Sequence, residues 1–118
     1  MTDSTEMNVA DLAGIIKAKQ ASLVEIANAF LSRIEAVNGR LNAFVTVDQE
    51  GAIATAKKAE AEIQGGTYLG PLHGVPVAYK DLYATAGLRT TGGSRVLEKP
   101  CARRRRHGRC AAQASRCD

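Results

Sequence analysis

Tryptophan is missing from this 118-residue chain, and two Phe and three Tyr are its only aromatic residues. Aromatic rings are the usual large contributors to buried area, so the core has to be modest and aliphatic. Apolar residues still make up 45% of the sequence, much of it alanine. A chain of this length buries only about 65% of the surface its unfolded form exposes. Cysteine does not occur in residues 1–98. No disulfide framework therefore supports that stretch, and a reducing, cytoplasmic setting is the expectation. Long hydrophobic runs are lacking too: nowhere do 18 apolar residues follow one another. The first twenty residues mix Asp3, Glu6 and Asp11 with no hydrophobic region or small-residue cleavage site. Neither a membrane span nor a secretory signal is expected.

The formal charge of +4 averages two unlike segments. Residues 1–98 hold nine Lys/Arg against eleven Asp/Glu, a net of −2. Residues 99–118 hold seven Lys/Arg against one Asp, a net of +6, together with Cys101, Cys110 and Cys117. The basic balance belongs to the tail and is no nucleic-acid signal for the whole chain.

Periodicity predicts three helices. Leu12, Ile15 and Ile16 fall at helical spacing within residues 9–19. Ser22-Leu-Val-Glu25 reads as a capping box opening a longer helix, whose stripe is Ile26, Phe30, Ile34 and Val37 with Ala27 and Leu31 beside it. Asn38-Gly39 is the expected stop. Asp48 is the expected N-cap of a third helix, which carries Ala52, Ile53, Ala56, Ala59 and Ile63 on one face and breaks at Gly65-Gly66. Two segments read as strands. Leu41–Val47 is rich in β-branched residues, and Val75–Leu82 follows a Gly/Pro loop, with Pro76 confined to its first residues or edge. Residues 85–94 (TAGLRTTGGS) read as an irregular loop. No internal repeat is evident, and helix, strand, helix, strand opens an α/β pattern.

The stretch G-P-L-H-G-V-P-V-A-Y-K-D-L (residues 70–82), followed by T-A-G-L-R-T-T-G-G-S, closely resembles the amidase signature family. In that family a strand ending in Lys-Asp precedes a loop with Thr-Thr and Gly-Ser. The preceding L-S-R-I-E-A-V-N, L-N-A-F-V-T-V and alanine-rich helix agree with it as well, so the resemblance spans roughly residues 8–98. It implies an α/β fold: the helices and first strands of a mixed sheet, with residues 1–98 as the N-terminal part of an amidase domain. It also implies hydrolysis of carbon–nitrogen amide bonds through a Ser–cis-Ser–Lys triad, on a small-molecule amide substrate, without metal or organic cofactor. Lys80 matches the catalytic lysine, the general base. A lysine can act so only where its neutral form is favoured, because an ammonium has no lone pair. Strand geometry would turn Lys80 and Asp81 to opposite faces, so they need not pair.

Taken alone, a Lys-Asp pair is two solvated surface residues; the flanking loops are what assign Lys80 its role. The family's two serines belong to a Gly/Ser-rich signature further downstream. Ser94 matches a loop serine that is not the nucleophile, and Ser115 resembles nothing in the family, so this chain by itself is expected to be inactive and poorly packed. The resemblance equally fits the amidase subunit of a tRNA-dependent glutamine amidotransferase, which would bring partner subunits. His73 is expected to make a local hydrogen bond, and Tyr79 and Tyr83 to be packing residues.

Beyond Glu98 the resemblance breaks off at K-P-C-A-R-R-R-R-H-G-R-C-A-A-Q-A-S-R-C-D. A GC-rich back-translation of Cys101 to Asp118, begun one base later, spells A-R-D-A-D-A-T-V-A-A-R-L-R-R-A-G-A, the helix the family would continue with. The tail is therefore read as the same gene in a shifted frame, a low-complexity and disordered Arg/Cys segment. Two alternatives compete. Arg103–Arg106 with Arg109 form a basic patch but have no interleaved aromatics for base stacking, and a non-catalytic binding module would rest on them. Cys101, His107, Cys110 and Cys117 could ligate zinc, but they lack a C-x2-C knuckle.

Overall fold

A computed structural model describes residues 3–95. The tail beyond them, with its candidate zinc ligands, its arginine run and the proposed frame change, lies outside the described residues. The chain divides into two compact units, Met1–Val77 and Ala78–Asp118.

The first unit is helical, and its elements start where side chains can cap them. Asp3 accepts from the Thr5 N–H at 2.9 Å and the Thr5 hydroxyl at 2.8 Å, which opens a 3₁₀ turn over Ser4–Glu6. These two bonds, the backbone one foremost, hold the Asp3 carboxyl below its ordinary range. Helix α1 spans Val9–Lys17 behind the N-cap Asn8. Asn8 Oδ1 accepts from the Asp11 N–H at 2.9 Å while its Nδ2 donates to Asp11 Oδ2 at 2.6 Å, a reciprocal cap.

Its far end is a Schellman closure: Lys19 N–H donates to the Ile16 carbonyl (3.0 Å) and Gln20 N–H to that of Ile15 (3.1 Å). Lys19 takes the left-handed conformation there, at φ 56°. A side chain at that angle costs about 1 kcal/mol that glycine avoids. Lys19→Gly is therefore expected to stabilise the chain by about 0.5 kcal/mol after the entropy glycine adds to the unfolded state, read as a higher urea midpoint for loss of helical circular dichroism.

Helix α2 spans Leu23–Leu41 and α3 spans Gln49–Gln64. The capping box expected at Ser22 does not form: Ser22 is the N-cap residue but makes no side-chain cap bond. Its hydroxyl donates instead to Glu60 Oε2 of α3 at 3.3 Å, a tertiary partner outcompeting the local one. Nor does α2 end at Asn38-Gly39. It runs on to Asn42, which takes the left-handed angles (φ 50°, ψ 40°) expected of Gly39. Asn38 stays helical and clasps the segment beyond the helix: its Oδ1 accepts from the N–H groups of Ala43 and Phe44, both at 2.9 Å, and its Nδ2 donates to the Phe44 carbonyl at 3.1 Å. An amide that satisfies three backbone groups past the helix end does not need to stop it.

Asp48 caps α3 as expected, accepting from Gly51 N–H at 3.0 Å. The helix closes in a second Schellman motif, Gly66 N–H to Ile63 (3.1 Å) and Thr67 N–H to Glu62 (2.8 Å), with Gly66 at φ 92°. The core joins Leu12 and Ile16 of α1, Leu23, Ile26 and Ala27 of α2, and Ala56, Ala59 and Ile63 of α3. The small alanine face of α3 packs against α2. Phe30, Leu31, Ile34 and Val37, on the distal half of the α2 stripe, are only half-buried.

Neither expected strand forms among the described residues. Residues 41–47 and 75–82 have no ladder partner there, Leu41 ends α2, and Val45, Val47 and Val77 stand exposed. A β-branched run becomes a strand only when another strand takes up its N–H and C=O groups, and that partner is not set by the run itself.

Candidate functional site

Two stretches, consecutive in sequence, carry the residues of interest, one in each unit. In the first unit, residues 67–77 form a loop held onto α3 by His73. Its Nδ1 accepts from Leu69 N–H at 3.2 Å, so the ring proton sits on Nε2, which donates to Glu62 Oε2 at 3.0 Å. The His73 side chain is 8% exposed. The Tyr68 ring lies 6.2 Å from it, and Lys17 Nζ lies 6.0 Å from the Tyr68 centroid. The local hydrogen bond expected of His73 is present, and the Glu62 pair is an addition the sequence did not announce.

Gly74 explains the second glycine of the Gly-Pro-Leu-His-Gly run. It sits at φ 85°, and a Cβ there would overlap the Leu23 Cδ2 methyl at the start of α2. The loop and the helix therefore approach as closely as they do only because position 74 has no side chain.

In the second unit, the chain turns at the Lys-Asp pair rather than continuing extended to Leu82: Tyr83 N–H donates to the Lys80 carbonyl at 3.0 Å. Lys80 is exposed, and its ammonium makes no hydrogen bond or ion pair among the described residues. Asp81, its sequence neighbour, does not pair with it. The Asp81 carboxylate turns to the Thr90–Ser94 loop, where Oδ1 accepts from Thr91 N–H at 2.8 Å. Oδ2 accepts from the Thr91 hydroxyl and, more loosely, from Gly93 N–H at 3.4 Å. The Asp81 carbonyl accepts from Gly92 N–H at 2.9 Å. The Thr91 hydroxyl and then its N–H hold the Asp81 carboxyl below the ordinary carboxylate range.

Thr90 turns its own hydroxyl to the Tyr83 carbonyl at 3.1 Å, so both members of the Thr-Thr pair close back on residues 81–83. Between them, Leu88 N–H donates to the Thr85 carbonyl at 3.2 Å across a turn in which Gly87 supplies φ 79°. Ser94, the loop serine, donates its N–H to the Thr91 carbonyl at 2.9 Å.

Tyr79 and Tyr83 do not pack as expected; they are 40% and 66% exposed. They flank the turn at Lys80. Leu69, Leu72 and Leu82 are exposed as well, at 75%, 65% and 69%. Among the described residues no three His, Cys, Asp or Glu side chains cluster as metal ligands, and no helix is long and apolar enough to cross a membrane.

Residues 25–104 match the family described as Amidase. A Salinispora arenicola protein, named as the A subunit of glutamyl-tRNA(Gln) amidotransferase, is 47% identical over 97 residues, covering 82% of this chain and 20% of its own length. Proteins of the same name from Azoarcus sp. and Streptomyces coelicolor are 49% identical over 90 residues and 42% over 98, covering 76% and 83% of this chain and 18% and 20% of their own lengths. The chain thus spans about a fifth of the length of these relatives. No solved structure matches it significantly.

Proposed function

The chain belongs to the amidase family, and from that premise we propose that residues 1–98 are the N-terminal part of an amide hydrolase whose general base is Lys80. In this reading a serine from the downstream Gly/Ser-rich signature attacks the amide carbonyl. Its proton passes through a second serine to the neutral amine of Lys80 and then to the departing nitrogen as the C–N bond breaks. Water hydrolyses the resulting acyl-enzyme. The observation that carries the reading is the Lys80-Asp81 pair in its full setting: the His73-Gly74 loop before it and a Thr90-Thr91-Gly92-Gly93 loop, bonded to Asp81 and Tyr83, after it.

Three further points belong to the same reading. The segments read as strands, Leu41–Val47 and Val75–Leu82, contribute strands to a mixed α/β sheet when the rest of the protein supplies their partners; the exposed valines at 45, 47 and 77 support this. Lys80 stands exposed here, so the shelter a neutral amine needs has to come from the rest of the protein together with the serines, and the 118-residue chain alone is inactive in this reading. Residues 99–118 are the product of a shifted frame; the family match ends at residue 104, within that segment.

A second reading concerns the setting. The three relatives share the name of an amidotransferase subunit, which favours a glutamine-hydrolysing, cytoplasmic subunit over a free-standing amidase. The test is to express the full-length protein of the corrected frame and measure ammonia release from glutamine and from short aliphatic amides, alone and with partner subunits. Hydrolysis of glutamine that requires co-purifying subunits supports the amidotransferase, and hydrolysis of simple amides by the lone protein supports the free amidase. No ammonia from any amide would defeat both.

A further inference from the structure

The Asp81 carboxylate directs all its described bonds to one short loop. It takes the Thr91 N–H, the Thr91 hydroxyl and the Gly93 N–H, while its own carbonyl takes the Gly92 N–H. Consecutive positive φ angles at Gly92 and Gly93, 57° and 72°, curl the backbone so that several amide groups can serve one residue. Thr91 is the buried residue of this group, at 5% exposure, and its hydroxyl also lies 3.2 Å from Gly93 N–H. Across the same loop the Thr90 hydroxyl ties down the Tyr83 carbonyl. The Lys80 carbonyl accepts from Tyr83 N–H, so the backbone at Lys80 is linked to the loop from both sides of residue 81.

We propose that Asp81 is a positioning residue, whose carboxylate clasps Thr91 and Gly93 and thereby fixes the backbone from which Lys80 projects. Its catalytic meaning rests on the reading of Lys80 as general base; the clasp itself does not. The two residues adjoin in sequence but divide the work: one side chain is engaged with the protein, and the other is left for chemistry. Substituting asparagine keeps the shape of Asp81 and one acceptor oxygen, but it places an NH₂ against the Thr91 hydroxyl and Gly93 N–H, which weakens the clasp where charge-assisted bonds are strongest.

Two measurements test this. In the ¹⁵N-labelled 118-residue chain, the amide protons of Thr91 and Gly93 are expected to titrate together with the Asp81 carboxyl, with a midpoint below the ordinary aspartate range. The sign follows from the lowered folded-state value: the clasp is present above that midpoint and lost as the pH falls through it. Thr91→Val should raise the midpoint toward the ordinary value and Thr91→Ser should restore it, a response that mere space-filling by residue 91 would not give. Amide signals at 91 and 93 that ignore the Asp81 titration would overturn the clasp.

In the full-length enzyme, Asp81→Asn is expected to lower kcat by about 10²-fold with KM little changed, the scale set by misplacing a catalytic group. Unchanged kcat in Asp81→Asn, where Lys80→Ala abolishes turnover, would overturn the positioning role and leave the base assignment standing. Unchanged kcat in Lys80→Ala would remove the base assignment while the amide titration still reports on the clasp.

Discussion

If Lys80 is the general base proposed above, Lys80→Ala in the full-length protein is expected to lower kcat by about 10³-fold or more while leaving KM nearly unchanged, because a base acts on a proton in flight and does not hold the substrate. Lys80→Arg separates the two ways a lysine can contribute. A guanidinium keeps the positive charge but cannot give up its proton to become a base. If Lys80 serves as general base, arginine is as inactive as alanine. If it only stabilises negative charge, arginine retains much of the activity. Steady-state rates of ammonia release for the three proteins decide between them.

Gly74→Ala is expected to be the most damaging single methyl in the described residues, costing about 2–4 kcal/mol. Two terms add. The left-handed φ of 85° strains any side chain by about 1 kcal/mol, and the new Cβ falls on Leu23 Cδ2 in a filled part of the core, where overpacking costs about 1–3 kcal/mol. Gly66→Ala is the control: φ is 92° there, but no atom lies within 4 Å of the added Cβ, so only the backbone term of about 1 kcal/mol applies. Urea unfolding followed by helical circular dichroism should place the midpoint of Gly74→Ala well below that of Gly66→Ala. Equal midpoints would mean that the loop can move off Leu23 without loss.

The helices were legible because their signals are local. Ser22 and Asp48 stand at the N-cap positions, and the periodic residues Leu12, Ile16, Ile26, Ala56 and Ile63 form the core. Features that escaped the sequence depended on distant partners. Ser22 abandons its local cap because Glu60 comes within reach, and Asn38 can let α2 continue past Gly39 because its side chain binds Ala43 and Phe44. The Schellman closure at Lys19 carries no glycine to announce it, whereas the one at Gly66 does. The strands failed to appear among the described residues for the same reason, since a ladder needs a second chain segment that the runs at 41–47 and 75–82 do not supply to each other.

The candidate site was legible only by resemblance. Composition and spacing would have left Lys80-Asp81 as two surface charges, and nothing local foretold that Asp81 would bind Thr91 ten residues on, or that His73 would reach Glu62 eleven residues back. The Thr-Thr-Gly-Gly motif becomes intelligible in the structure: two hydroxyls for residues 81–83, and two positive-φ glycines that let the loop curl onto Asp81.

Sequencing the gene from codon 95 through several hundred bases downstream tests the central claim most directly. One added or missing base is expected to restore an open frame, in which the helix A-R-D-A-D-A-T-V-A-A-R-L-R-R-A-G-A replaces the Arg/Cys tail and a Gly/Ser-rich signature with the two triad serines comes after it. A downstream sequence without that signature in any frame would contradict the claim, leaving Lys80 with no nucleophile to serve.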